Sequence, residues 1–220
     1  MLLLAVDTSG KQGSIALARC GPGDVCEVIK VVPLTGGTFS AQLVPQIAAL
    51  LSQHGFSKRD LGAFAVASGP GSFTGLRVGL AAIKALAEIL EKPIAAVSLL
   101  EAVAAATNSP GKIIASLDAG RGELYAAAYD GANTSNERLL TREEFLASAR
   151  GALIITPDSG IAEAARAAGL QVQEVERPRS DAIARLGWKK ILAGESISAE
   201  ALDANYVRRS DAEIFSKRSS

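Results

Sequence analysis

Two short segments of this sequence carry an aspartate and a glycine-bearing turn that could hold a phosphate group or a metal-bound water. They are Asp7-Thr8-Ser9-Gly10, after the apolar run 2–6, and Asp118-Ala119-Gly120, after the apolar run 113–117. Such a turn offers backbone N–H groups and a hydroxyl to phosphate, and its carboxylate can orient water on a cation. Because Asp and Gly also favour ordinary turns, the residues alone leave both interpretations open.

The most distinctive stretch is residues 69–77, GPGSFTGLR, at a predicted strand-to-helix junction. It is not a P-loop, because no Gly-Lys-Ser/Thr follows. A dinucleotide fingerprint would need a glycine where Thr74 stands, and in a nucleophile elbow the serine would stand one place later than Ser72. Free N–H groups at the start of a helix can meet an anion, and a tight turn with close helix–sheet packing is the alternative. The candidate nucleotide or anion residues are therefore Asp7, Thr8, Ser9, Gly69, Gly71, Ser72 and Thr74.

Residues that could hold a transition metal or complete a catalytic triad are scarce. His54 is the only histidine, so the chain has no His-x-x-x-His pair, and no pattern recommends a Ser-His-Asp triad. Cys20 and Cys26 flank a Gly-Pro-Gly turn without metal-ligand spacing. We expect two free thiols beside a hairpin turn, with a disulfide as the alternative.

Composition narrows the class of protein. The 220 residues are 48% hydrophobic and 21% charged, which is typical of a globular fold. Lys and Arg total 23 against 23 Asp and Glu, and no basic stripe is evident, so we do not expect the chain to bind nucleic acid alone. The initial apolar run lacks a basic flank and ends at Asp7, and no later run suits a bilayer. We therefore expect a cytoplasmic protein without membrane contact.

Hydrophobic periodicity predicts the same order of elements, βββαβαβα, in each half of the chain. Alternating or continuous apolar runs predict strands, and apolar positions three and four apart predict helices. The predicted strands are 2–6, 13–18, 25–32, 63–67, 94–97, 113–117, 124–129, 138–140, 153–156 and 172–175, and the helices lie near 43–54, 76–91, 161–168 and 181–192. Two more helices are predicted to begin at the capping sequences 98–101 (SLLE) and 141–144 (TREE). We therefore predict an α/β protein of two lobes, residues 1–107 and a smaller lobe of residues 108–220.

The predicted helix 76–91 is apolar almost all round. One stripe comprises Leu76, Leu80, Ile83, Ala87 and Leu90, and another comprises Val78, Ala82, Ala85 and Ile89. Only a narrow polar strip separates them. Such a helix should be covered on two sides, one of which is the sheet of its own lobe. The second cover is either another subunit or the other lobe.

Several segments resemble a known family. The order of elements, repeated in the two halves, resembles that of the actin, Hsp70 and sugar-kinase superfamily. The ribonuclease H-like lobes of that superfamily hold nucleotide on paired Asp-bearing hairpins. Residues 4–9 (LAVDTS), 69–79 (GPGSFTGLRVG) and 97–102 (VSLLEA), with the closing Tyr206-Val207-Arg208, resemble the TsaB family. That family is paralogous to TsaD, which transfers threonylcarbamoyl to a tRNA adenosine. The resemblance is strong in the first half and weak in the second.

This resemblance implies a non-catalytic role. At the positions of the His-x-x-x-His metal pair of TsaD, this chain has Leu99 and Val103. It therefore lacks the metal ligands that either the transferase reaction or the peptidase activity of the family's older label would need. The family implies a scaffold or activating subunit for tRNA threonylcarbamoyladenosine (t6A) modification, with TsaD and the ATPase component TsaE as partners and tRNA reached only through the complex. The resemblance implies that the chain alone binds no cofactor tightly, and that ATP or ADP binds at the interface between subunits. Many members carry a His-Ser pair where this chain has Phe39-Ser40.

A stand-alone ATPase or kinase of the same fold is the alternative. It would need a Gly-Gly adenosine loop in the second half, which residues 156–160 (TPDSG) do not supply. The family resemblance further implies that the helices near 40–54 and 76–91 pair with the matching helices of TsaD or of a second copy. The interface candidates are Leu43, Ile47, Leu76, Leu80, Ile83 and Ala87.

Overall fold

The computed structural model describes residues 1–131 and 133–207, which form two compact units. Unit 1 comprises Met1–Ser98 and Arg179–Asn205, and unit 2 comprises Leu99–Pro178 together with Tyr206 and Val207. Arg208 of the closing motif lies outside the described residues.

This division differs from the predicted lobes, 1–107 and 108–220. Helix α3, Leu99–Ala104, packs on the sheet of unit 2, although it follows the last strand of unit 1. Helix α6, Ser180–Leu192, packs on the sheet of unit 1, although it follows the last strand of unit 2. Periodicity identifies the buried side of a helix but not the sheet that covers it, so the order of elements alone placed both helices in the wrong unit.

Unit 1 is built on a five-stranded sheet in the order β3-β2-β1-β4-β5. β2 runs antiparallel to β1 and β3, whereas β1, β4 and β5 are mutually parallel. The strands are β1 Leu2–Asp7, β2 Gln12–Cys20, β3 Cys26–Thr35, β4 Leu61–Gly69 and β5 Ile94–Ser98, and the helices that join them are α1 Phe39–Gln53 and α2 Phe73–Leu90. A short 3-10 helix, Lys58–Asp60, precedes β4 and was not predicted.

The two faces of this sheet carry side chains of different size. Because successive residues of a strand point to opposite faces, Phe64 and Ala65 lie on different sides of β4. Phe64 belongs to the apolar core formed with α1 and α2. Ala65 and Ala95 lie beneath α6, where a Cβ on Gly187 would come within 2.4 Å of the Ala65 Cβ. The alanine-rich face therefore lets α6 approach closely.

Unit 2 repeats the plan with shorter elements. Its six-stranded sheet has the order β11-β10-β6-β7-β8, and β9 also pairs with β7. The strands are β6 Ile113–Gly120, β7 Glu123–Asp130, β8 Asn133–Thr134, β9 Arg138–Thr141, β10 Leu153–Thr156 and β11 Val172–Glu174, and the remaining helices are α4 Arg142–Ser148 and α5 Ser159–Ala167. The predicted fold class, two α/β lobes with the second reduced, is confirmed.

Local signals in unit 2 act as the sequence predicts. Thr141 and Glu144 form a capping box at α4, with the Glu144 carboxylate 2.8 Å from the Thr141 N–H. Phe145 and Ile154 are fully buried at the centre of the unit's core. Within residues 1–131 and 133–207, none of the helices combines the length and the apolar character needed to cross a bilayer.

The contact between α6 and the sheet gives a matched pair of substitutions. Gly187→Ala should destabilise the protein by about 1–3 kcal/mol, because the new methyl meets the Ala65 Cβ in a packed core. Gly160→Ala in α5 meets nothing within 4 Å and should be neutral or stabilising by up to about 1 kcal/mol. Urea denaturation of both variants checks this, and equal effects of the two changes would contradict the packing of α6.

Candidate functional site

The structure brings the first Asp-bearing turn and the glycine-rich loop together inside unit 1. β1 and β4 are parallel neighbours, with Val6 opposite Val66, so the segments after them leave the same edge of the sheet. The Ser72 N–H donates to the Ser9 carbonyl at 2.7 Å, and the Thr8 hydroxyl donates to the Gly75 carbonyl at 2.8 Å. The two candidate loops are therefore in direct contact.

The glycines of the loop are explained by this contact. A Cβ on Gly71 would lie 2.6 Å from the Ser9 carbonyl oxygen, and a Cβ on Gly75 would lie 2.1 Å from that of Thr8. Gly79, one helical turn later, would place a Cβ 2.4 Å from the Thr8 Oγ1. The spacing of four puts Gly75 and Gly79 on one face of α2, directly against the turn. Gly79 was not among the predicted site residues, although that spacing could have revealed it.

The polar groups of the turn at residues 7–9 mostly form hydrogen bonds within the protein. The Asp7 Oδ1 accepts hydrogen bonds from the Ser9 N–H at 2.9 Å and from the Ser9 hydroxyl at 2.5 Å. Asp7, Thr8 and Ser9 are all buried. At the start of α2, the Ser72 hydroxyl oxygen accepts from the Gly75 N–H at 3.4 Å and caps the helix. The geometry thus favours the tight-turn interpretation over an anion site.

The second Asp-bearing turn, in unit 2, has a similar local hydrogen bond. The Asp118 Oδ1 accepts from the Gly120 N–H at 3.1 Å, and the Asp118 N–H donates to the Asp158 Oδ2 at 2.8 Å. Asp158 also forms an ion pair with Arg177. Sequence analysis did not identify Asp158 or Arg177, because their proximity to Asp118 depends on the parallel pairing of β6 with β10. The Arg177 side chain is exposed, so this ion pair contributes little stability.

Metal-binding clusters are absent from residues 1–131 and 133–207, where no three His, Cys, Asp or Glu side chains come close enough to share an ion. Leu99 and Val103, at the positions of the TsaD histidines, are both buried on α3. Their side chains belong to the apolar interior of the protein.

The predicted interface residues require a correction. All six are buried in the core of unit 1, none more than 7% exposed, so they hold α1 and α2 to the sheet and present nothing to a partner: Leu43, Ile47, Leu76, Leu80, Ile83 and Ala87. The error arose because both stripes of α2 are apolar, and the sequence does not say which one faces the sheet. Of the second stripe, Val78 and Ala82 are partly buried against the core, whereas Ala85 and Ile89 are exposed, Ile89 to 73%.

Other exposed apolar residues lie on α1 and at the start of α2. Val44 on α1 is 60% exposed, and Phe73 at the start of α2 is also exposed beneath the Arg77 guanidinium, which lies 3.8 Å from the ring centroid. Ala48 on α1 and Ala81 and Ala85 on α2 are exposed as well. We call this surface the α1–α2 face and define it as Val44, Ala48, Phe73, Ala81, Ala85 and Ile89.

A double-mutant cycle tests the contact between the turn and α2. Thr8→Ala should cost about 1 kcal/mol for the lost hydrogen bond, and Gly79→Ala about 1–3 kcal/mol for the collision with Oγ1. Because removing Oγ1 makes room for the new methyl, the double mutant should be more stable than the sum predicts, by about 1–2 kcal/mol.

The matched control for this cycle is Gly75→Ala combined with Thr8→Ala. There the new methyl meets the main-chain oxygen of Thr8, which the substitution leaves in place, so no rescue is expected. Denaturation midpoints of the five variants give both coupling energies. Rescue in both pairs, or in neither, would contradict the proposed contact.

Comparison with known proteins gives the chain its family. Residues 31–202 match the family model described as TsaD, tRNA N6-adenosine threonylcarbamoyltransferase. The chain is 28% identical to the tRNA threonylcarbamoyladenosine biosynthesis protein TsaB of Bacillus subtilis, over 97% of this chain and 96% of the relative. It is 33% identical to TsaB of Escherichia coli over 59% of this chain and 55% of the relative.

Solved structures agree with this assignment. A Pseudomonas aeruginosa protein described as similar to the peptidase YeaZ superposes with a TM-score of 0.73 at 25% identity, over 94% of this chain and 99% of the other. YeaZ from the same organism superposes with a TM-score of 0.70 at 24% identity, over 93% and 100%, which supports the fold. The chain therefore belongs to the TsaB/YeaZ family, which is related to the TsaD threonylcarbamoyltransferases.

Proposed function

We propose that this chain is a non-catalytic subunit for t6A modification of tRNA, which binds a TsaD-type transferase through the α1–α2 face. The observation that carries the proposal is the exposure of Ile89, Val44 and Phe73 on two adjacent helices. Exposed apolar side chains on neighbouring helices favour a protein interface, and exposed alanines on the same two helices permit close approach of another helix.

The other features of unit 1 support a binding role over a catalytic one. The hydroxyls of Thr8 and Ser9 donate to acceptors within the protein, and the described residues contain no cluster suited to a metal ion. The name of the Bacillus subtilis relative supports a place in t6A biosynthesis. Under this proposal the protein acts in the cytoplasm, with TsaE as third component, and ATP or ADP binds only at the joint of the complex.

Activation follows from differential binding. A subunit without chemistry of its own can raise the activity of TsaD only by binding a competent conformation more tightly than an inactive one. The balanced charge of the chain supports tRNA contact through the assembled complex, because binding to phosphates needs an excess of positive charge. The same face could pair with a second copy when the transferase is absent, as the family resemblance implies.

Charge placed on the α1–α2 face should abolish the partnership. Ile89→Glu should weaken binding of the TsaD-type partner at least about 100-fold, because burying an unpaired carboxylate costs several kcal/mol. Leu192→Glu is the matched control, since Leu192 is 48% exposed at the end of α6, on the opposite face of the sheet. Calorimetric titration of folded variants measures both, and equal affinities would place the interface elsewhere.

Reconstitution tests the function itself. With a TsaD-type transferase, TsaE, ATP, threonylcarbamoyl-adenylate and tRNA, modified adenosine should form, and it should fall to background when this chain is omitted. The Ile89→Glu variant should reproduce the omission, while Leu192→Glu should support full modification. Modification by this chain alone would identify it as an enzyme, ATP turnover by this chain alone would favour the kinase alternative, and undiminished modification without it would refute the partnership.

A further inference from the structure

The two cysteines of the chain lie directly opposite each other at one end of the β2–β3 hairpin. Cys20 ends β2, Cys26 begins β3, and the two residues are register partners. Both are free thiols, and the Cys20 thiol donates a hydrogen bond to the Cys26 sulfur across 3.2 Å. The chain has no other cysteine, so any thiol chemistry of this protein occurs here.

The hairpin places this pair at a position that a disulfide can span. The Gly21 N–H donates to the Val25 carbonyl at 3.0 Å, and the Cys20 N–H points away from β3, to the Met1 carbonyl at 2.8 Å. Cys20 and Cys26 therefore form a non-hydrogen-bonded pair of the antiparallel ladder, in which Cα atoms lie about 4.5 Å apart. That separation falls within the range of about 4.4–6.8 Å found for disulfides.

The tip of the hairpin is held in place by α6. The Trp188 indole N–H donates to the Gly23 carbonyl at 3.3 Å, and the Lys189 ammonium lies 3.0 Å from the Asp24 carboxylate. These contacts keep the two strand ends paired and the thiols adjacent. Little chain entropy then remains to be lost when the sulfurs bond.

The two thiols are not equivalent. Cys20 is 2% exposed, whereas Cys26 is partly exposed and is the sulfur that an oxidant reaches. The hydrogen bond donated by Cys20 lowers the pKa of the Cys26 thiol, and the charge of Arg185 lowers it further against the effect of desolvation. The hydrogen bond with Cys26, together with burial, raises the pKa of the Cys20 thiol. Cys26 is thus the nucleophile and Cys20 the resolving thiol.

We propose that Cys20 and Cys26 form a reversible redox site that closes to an intramolecular disulfide on exposure to hydrogen peroxide. The Cys26 thiolate attacks one peroxide oxygen, the O–O bond breaks, and hydroxide leaves, taking a proton to become water. The Cys20 sulfur then loses its proton and attacks the Cys26 sulfur, and the S–O bond breaks to release a second water. Two thiols are oxidised and one peroxide is reduced to two waters.

The first test uses the full-length wild-type protein. Reduced protein is treated with hydrogen peroxide, denatured, alkylated and analysed by mass spectrometry. Both thiols should resist alkylation, the monomer mass should fall by about 2 Da for the two hydrogens lost, and peptide mapping should join Cys20 to Cys26. Dithiothreitol should restore both thiols. Disulfides between chains, or oxidation of Cys26 with Cys20 still open to alkylation, would overturn the proposal.

Variants then separate the two roles. In Cys20→Ser, Cys26 should react with peroxide at nearly the wild-type rate and accumulate a sulfenic acid that a dimedone probe traps. In Cys26→Ser, the buried Cys20 should react at least about tenfold more slowly. Equal rates in the two variants would overturn the assignment of Cys26 as nucleophile. The mapping of the wild-type protein is decisive even if a serine variant fails to fold.

Discussion

Unit 1 depends on the direct contact between the β1–β2 turn and the first turns of α2. The Thr8 carbonyl oxygen lies where a side chain on Gly75 would begin, and the Thr8 hydroxyl lies where one on Gly79 would begin. A residue with a Cβ at either position would push α2 away from the sheet edge. Because the contact fixes the start and rotation of α2, it also decides which of its apolar residues are buried and which are exposed.

A second constraint on unit 1 comes from residues 179–205, which are far from its strands in the sequence. The large side chains on one face of the sheet receive α1 and α2, while the alanines of the other face receive α6 at Gly187. The chain after α6 continues along unit 1, where Ile197 bridges Ile94 at the edge of β5 and the Asn205 N–H donates to the Ser68 carbonyl. Unit 1 is therefore discontinuous in sequence, and residues 179–205 belong to its fold.

These constraints explain which parts of the molecule could be predicted. Strands such as β1 and β4 coincide with continuous apolar runs, and α4 begins at a capping box. Both are local signals, so these elements can be predicted from the sequence. The partner sheet of α6 and the buried stripe of α2 depend on contacts between distant residues, which periodicity does not encode. The same holds for the turn at Asp7, since its residue types suit a ligand and an internal hydrogen bond equally well.

The arrangement of α2 connects the glycine contact to the proposed partner. Its first turns are held by Thr8 and Ser9, and the exposed Ile89 lies near the end of the same helix. A face presented by a fixed helix loses little conformational entropy on docking, so more of its apolar burial appears as affinity. Under the proposed function, the turn would position the partner-binding face by fixing where α2 starts. The glycines that the sequence offered as part of a phosphate loop make close packing contacts with Thr8 and Ser9.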